Sequence, residues 1–323
     1  MTYHFDLSQS VADNVTRIAA AEVDAAGLSL ARVQANGDSL AVHDVRKRTK
    51  KLRALALLVS GSLGRRQWRA VYRAAGEAAS GLGDTRDLQV RHLTLVELLE
   101  WAAVQPDLGV VVDPDRFTVA MSHAATGARN AAGAGAGAGD GGGSAALADA
   151  AQHASWLLTG VAAEVAGWKL PDGFNAIAAG LDDTYVQGRQ RWRSLVGSDG
   201  DASPSPEALH RWRRRVKQRW YHTRLLAPLA PDVLGADAVL LDELGQVLGS
   251  DHDLAVFIEA LADEPLAWGG ASVTVDLAHL ADQRRHELTA RALEVGRQLY
   301  VDPARVHRAR MLAWWDQVHG VQG

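Results

Sequence analysis

Two short windows hold most of the residues that could do chemistry. His43 to Arg53 reads HDVRKRTKKLR, with six cations against one acid, Asp44. Leu209 to Arg224 reads LHRWRRRVKQRWYHTR, with seven cations and no acid. Together these 27 residues carry +12, which leaves −16 on the other 296 residues of a 323-residue chain whose net charge is −4. Guanidinium forks chelate phosphate oxygens and an ammonium acts as a point charge. The chemistry these windows offer is therefore capture of a phosphate-rich anion at a local site. A net negative chain excludes a protein that coats nucleic acid through bulk charge.

On a helix each residue advances 100°. With His43 at zero, Arg46, Lys47, Lys50 and Arg53 all fall within about 120° of arc. Val45, Leu52 and Val59 cluster on the opposite side and would face a core. The second window repeats the pattern: His210, Arg213, Arg214, Lys217 and Arg224 share one face, with Trp212 and Arg219 on the core side. Each window thus predicts a helix with a His at the head of a cationic stripe. Like charges three and four residues apart repel by a few tenths of a kcal/mol per pair, so both helices require a compensating anion. Asp87 and Asp253 are candidate internal partners, but two acids cannot neutralise ten or more cations, whereas an extended polyanion can.

The elements that must position these stripes read almost wholly as helix. Apolar residues recur at helical spacing over 9–26, 40–63, 66–81, 85–104, 115–132, 144–167, 173–194, 206–227, 236–248, 251–263, 272–300 and 303–319. Leu108 to Val112 could form a short strand with no partner. Residues 133–143 (GAGAGAGDGGG) predict a flexible loop, and 197–206 a polar one. The chain repeats itself. His43, Arg46, Lys47 and Lys50 match His210, Arg213, Arg214 and Lys217 at an offset of 167, and Leu82-Gly83-Asp84-Thr85-Arg86-Asp87-Leu88 matches Leu248-Gly249-Ser250-Asp251-His252-Asp253-Leu254 at 166. Two motifs in one order predict a duplicated helical unit: an all-α fold of two pseudo-symmetric bundles, a first half over 1–168 and a second over 169–323. Cysteine is absent, which removes disulfides, thiolate nucleophiles and Cys-ligated zinc. Residues 1–6 lack a signal-peptide pattern, and no stretch of about 20 residues is apolar enough to span a membrane.

These residues resemble the signatures of the CHAD family, the conserved histidine α-helical domain. The first is Gly37-Asp38-Ser39-Leu40-Ala41-Val42-His43-Asp44-Val45-Arg46 with Lys50-Lys51-Leu52-Arg53. The second is Leu82-Gly83 with Arg86-Asp87-Leu88 and Val90. Leu209-His210 with Arg213, Lys217 and Tyr221, then Gln246, Leu248-Gly249 and His252-Asp253, look like their second-half counterparts. Arg291-Ala292-Leu293 with Gly296-Arg297 and Leu299-Tyr300 also fits. The resemblance implies an all-helical fold of two four-helix-type units with a basic groove between them that binds inorganic polyphosphate. It assigns ligand contact to His43, Arg46, Lys50, Arg53, Arg86, His210, Arg213, Lys217 and Tyr221. Lys47, Arg214 and Arg224 join from the stripes, and Arg189 resembles a further basic helix position. The chain departs from the family at Trp220, where an Arg is usual, and at Gln218. No strand-rich triphosphatase-type domain is evident, so the chain resembles a standalone form, cytoplasmic or associated with polyphosphate granules.

Three other readings use the same residues. Nucleic acid could engage the cations, with Trp212, Trp220 and Tyr221 stacking on bases, but no helix-turn-helix, RNP or zinc motif is present. The stripes could dock an acidic protein. The His43-Asp44 and His252-Asp253 pairs match the ligands of HD-type metal-dependent phosphohydrolases, but cations at +3, +4 and +7 from His43 would repel a divalent metal. The expectation is a noncatalytic polyphosphate-binding protein without cofactor or metal.

Overall fold

A computed structural model describes residues 3–82, 86–105, 114–135, 141–197 and 204–320, without the side chains of 86–89, 114, 130–135 and 141–144. Eleven α-helices and no strands occur among these residues, so the chain is all-α, as the periodicity predicts. The helices are α1 (Val11–Asn36), α2 (Ser39–Leu58), α3 (Arg65–Ser80), α4 (Arg86–Ala103), α5 (Thr118–Gly135) and α6 (Gly141–Ala166). After a short connection follow α7 (Asn175–Val196), α8 (Pro206–Leu226), α9 (Pro231–Asp263), α10 (Ala271–Tyr300) and α11 (Ala304–His319).

Local signals place the two motif helices alike. The Asp38 carboxylate accepts the amides of Leu40 and Ala41 at the start of α2. The Ser205 hydroxyl accepts the Ala208 amide at the start of α8, where Pro206 occupies the first turn. A side-chain oxygen at this position satisfies amides that have no partner in the helix. The two caps stand 167 residues apart, so the repeat includes the residues that start the helices as well as the stripes. Gly37, at φ +66°, ends α1 with its amide on the Val33 carbonyl and turns the chain directly into α2.

Three apolar clusters hold the fold. α1, α2, α3 and α6 close around the first, which includes Ile18, Leu30, Leu52, Leu55 and Val161. α7, α8 and parts of α9 and α10 close around a second, built on Tyr185, Trp212, Leu244, Val295 and Tyr300. The third lies between halves: Leu95, Leu98 and Phe117 from α4 to α5 pack with Phe257, Trp268, Leu277 and Leu280 from the end of α9 to α10. The hairpin that extends from each bundle therefore packs on the hairpin of the other. The N-terminal segment adds a strap, with Tyr3 and Phe5 in the first cluster and the Phe5 amide on the Leu225 carbonyl of α8 (2.8 Å).

The structure departs from the sequence expectations at several points. α1 continues to Asn36, ten residues past its expected end, because Ser29, Leu30 and Val33 keep its buried face going. The helices expected over 236–248 and 251–263 are one continuous helix, α9. Gly249 is therefore not a turn residue but a mid-helix position on which a side chain rests. In the first half the same stretch is split into α3 and α4. The 108–112 strand lies outside the described residues, as do 136–140 in the middle of the expected 133–143 loop; α5 and α6 reach to either side of them.

Gly180 of α7 lies against α2 so closely that an added Cβ would collide with the Leu57 and Leu58 carbonyl oxygens. Gly180→Ala is expected to destabilise the protein by about 1–3 kcal/mol through overpacking. Gly160→Ala on α6, where a Cβ meets nothing within 4 Å, is expected to be neutral or stabilising by up to about 1 kcal/mol. Urea denaturation of the two variants checks both signs.

Candidate functional site

The two motif helices touch. The buried His222 of α8 donates from Nε2 to the Ala54 carbonyl of α2 at 2.8 Å. Ala54 and His222 are 168 apart in sequence, close to the repeat offset, so the helices meet at nearly equivalent positions, as a pseudo-twofold relation requires. Tyr3 closes the junction: its hydroxyl donates to the Lys51 carbonyl, and its ring meets Tyr221 edge-on at 5.9 Å.

On α2, Val45, Leu52 and Val59 are buried, and His43, Lys47 and Lys50 are exposed, with Arg46 and Arg53 half-buried. The helical projection thus places this stripe correctly. Arg53 leans on α3, where it donates to the Tyr72 hydroxyl at 2.6 Å and lies over its ring at 4.2 Å. Two cations off the stripe turn inward to α1. Lys51 and Arg48 reach the two oxygens of the buried Glu22 at 2.6 and 3.0 Å, and Arg48 also holds Asp44 at 3.2 Å.

On α8, His210, Arg213, Lys217 and Arg224 are half-buried and Arg214 is exposed. Arg213 and Lys217 lie across α9 over Gly249 and Gly245. A Cβ on Gly249 would stand 2.9 Å from a guanidinium nitrogen of Arg213, and one on Gly245 2.7 Å from the Lys217 side chain. These glycines, four apart and hence on one face of α9, are the bed on which both cations rest. Arg213 also donates to the Gly245 carbonyl at 3.3 Å, and Lys217 meets Asp242 at 3.1 Å. Both Lys217 and Arg224 sit over the Trp220 ring, at 4.6 and 4.7 Å. His210 lies 4.4 Å from His252, ring to ring, and its Nε2 accepts from Arg214 Nε at 3.1 Å. Burial lowers the His210 pKa, and His252, Arg214 and Arg213 add to the effect, so it is a neutral ring at neutral pH.

The other expected contact residues stand elsewhere. Tyr221 is a buried core residue, and burial raises its phenol to about 12. Arg189 donates to the Tyr300 carbonyl at 3.1 Å, at the end of α10 that packs behind the core face of α8. Arg86 opens α4, and its side chain lies outside the described residues, as does that of Asp87. Trp212 is fully buried. Arg219 is also buried, donating to the Leu299 carbonyl at 2.6 Å, 3.6 Å from Asp237 and over the Tyr185 and Tyr300 rings.

Sequence reasoning missed Glu22, Tyr72, Asp242 and Gly245. The four-residue spacing of Gly245 and Gly249 was a usable signal; the others come from elements distant in sequence. Against an HD-type metal centre, Asp44 is already engaged by Ser29 and Arg48 at 2.9 and 3.2 Å. Among the described residues no three His, Asp or Glu side chains are grouped to hold a metal ion. No described helix is long and apolar enough to cross a membrane.

The junction predicts a pH response. Burial holds His222 down at about 4, against the lesser opposing effect of its bond to Ala54. The unfolded chain takes up a proton as pH falls through roughly 6.5, which the folded protein refuses until about pH 4. Stability from this group is therefore complete above pH ~6.5 and lost on acidification, by up to about 3 kcal/mol. His222→Gln keeps an N–H donor for Ala54 but does not titrate, so its urea stability should fall less steeply between pH 7 and 4 than that of the wild type. Equal slopes would contradict the assignment.

A family model described as CHAD domain matches residues 17–262, a span that includes both stripes, the α2–α8 junction and the Gly245–Gly249 bed. No curated protein matches the chain.

Proposed function

The chain belongs to the CHAD family, and from that premise we propose that it binds inorganic polyphosphate, without catalysis, in a groove that the stripes of α2 and α8 line together. The observation that carries this reading is the meeting of two equivalent helices at Ala54 and His222, each bearing a His-headed cationic stripe. Their inward cations have internal carboxylates, Glu22 for Lys51 and Arg48 and Asp237 for Arg219. A repeated phosphate chain supplies negative charge along a line as the stripes supply positive. Arg46, Arg53, Arg213 and Arg214 offer forks to phosphate oxygens, with Lys47, Lys50 and Lys217 as point charges. His43 heads the first stripe and would donate a hydrogen bond to the same chain, while His210 accepts from Arg214 and holds that guanidinium at the head of the second. A soluble setting, in the cytoplasm or on polyphosphate granules, accords with this ligand. Absence of hydrolysis is part of the reading, because no group in the stripes is arranged to activate a water at a phosphoryl centre.

Titration with polyphosphates of defined length tests the proposal. Long chains should bind orders of magnitude more tightly than orthophosphate, with affinity falling steeply as salt rises. Lys50→Glu and Lys217→Glu should each weaken binding at least about tenfold, because each replaces an attraction to the phosphate chain by a repulsion. Arg32→Glu on the exposed side of α1 is the control. Wild-type affinity in both folded Glu variants would overturn the shared groove. Asp242→Asn removes the carboxylate that competes for Lys217 and should tighten binding severalfold, read in the same titration.

A further inference from the structure

The two halves are related by repeat, yet one pair of equivalent helices has opposite charge. α3 carries Arg65, Arg66, Arg69 and Arg73 against one acid, Glu77. The equivalent first half of α9, residues 231–246, carries Asp232, Asp237, Asp242 and Glu243 and no Lys or Arg. On α9 three of these acids are used: Asp237 faces Arg219, Asp242 faces Lys217 and Glu243 holds Arg291. Among the described residues the arginines of α3 have no such partners. None of the four is in an ion pair among the described residues, and Glu77 turns instead to His153 at 3.3 Å. Elsewhere the protein pairs its arginines readily, with Arg285 on Asp251, Arg308 on Asp182 and Arg310 on Asp302.

The row is placed beside the first stripe. Tyr72 and Gly76, which receive Arg53, lie on the same face of α3 as Arg65 and Arg69, within about 60° of arc. Arg73 follows at the edge of that face. Arg65, Arg66 and Arg73 are exposed, and Arg69 is half-buried over the Trp68 ring. No large apolar side chain is exposed on α3, so the face lacks the buried anchor on which a protein interface depends.

We infer that the α3 arginine row is a flanking phosphate subsite, which takes the part of a long polyphosphate chain that runs past the α2 and α8 stripes. The inference rests on the polyphosphate reading of those stripes. It makes binding asymmetric: a chain leaves the central stripes over α3 and is repelled from α9. Only chains longer than the central site gain from the row.

The test compares tripolyphosphate, a long polyphosphate and polyglutamate on the full chain, with the triple variant Arg65→Gln/Arg69→Gln/Arg73→Gln. Gln keeps the helix propensity, and the melting temperature is recorded alongside. The long chain should lose at least about tenfold in affinity at low salt, and its log–log salt slope should fall by about 2, as for three lost phosphate contacts. Tripolyphosphate binding should be unchanged. A triple Arg→Lys variant should keep the wild-type slope. The inference is overturned if the Gln variant binds the long chain like wild type, or weakens both phosphates equally. It is also overturned if only polyglutamate binding is lost, which would mark an acidic-protein dock. Wild-type protein that binds neither phosphate would show that the reading of the central stripes had failed, and this inference with it. Tripolyphosphate binding that depends on Lys50 and Lys217, with a long chain indifferent to the row, would sink the inference alone.

Discussion

Two helices as cationic as α2 and α8 can pack into one fold only if the charges that turn inward are neutralised. In the first half that task falls to Glu22, a carboxylate 5% exposed that holds Lys51 and Arg48 at once. Burial lowers the Lys51 pKa, and Glu22 is the chief influence that opposes it. A buried pair of this kind adds little net stability over an apolar replacement, but loss of one partner leaves a charge stranded in the core. The second half solves the same problem differently. Its inward cation is Arg219, at the position equivalent to Leu52, and it is held by a carbonyl, a carboxylate and two phenol rings. A guanidinium tolerates that setting because it is planar, stacks on rings and spreads its charge over several donors.

With the inward charges settled, the outward ones are sorted by what lies beside them. On α8 the stripe is laid against α9: Arg213 and Lys217 rest on glycines, Lys217 reaches Asp242, and Trp220 separates Lys217 from Arg224. An Arg at position 220 would set a third cation between two others. The indole instead offers both neighbours a ring face, an attraction of about 0.5–1 kcal/mol each at exposed sites. On α2 the stripe is laid against a basic helix, and Arg53, at the position equivalent to Trp220, rests on the Tyr72 phenol. One duplicated backbone therefore lays its cationic stripe against an acidic, glycine-bearing helix in one half and against a basic helix in the other.

Much of this was legible in the sequence, because it depends on residues close along the chain. Helical periodicity sorted Val45, Leu52 and Val59 from His43, Lys47 and Lys50, and the 167-residue repeat extended even to the caps Asp38 and Ser205. Trp212 and Arg219 were placed on the core side by the same 100° step. Other features depended on partners far away in sequence. Gly249 reads as a helix stop, since a glycine beside Ser and Asp is turn chemistry; only the Arg213 side chain lying over it explains a glycine inside a 33-residue helix. Tyr221 falls near the cations in sequence, but Tyr3, 218 residues away, draws it into the core. The sequence by itself determined which faces are apolar, which are cationic and that the unit is duplicated, because a helix carries those patterns in its own period. The tertiary structure decided which cations are already answered, since Glu22, Asp237 and Asp242 reach them only when helices remote in the chain are brought within hydrogen-bond distance.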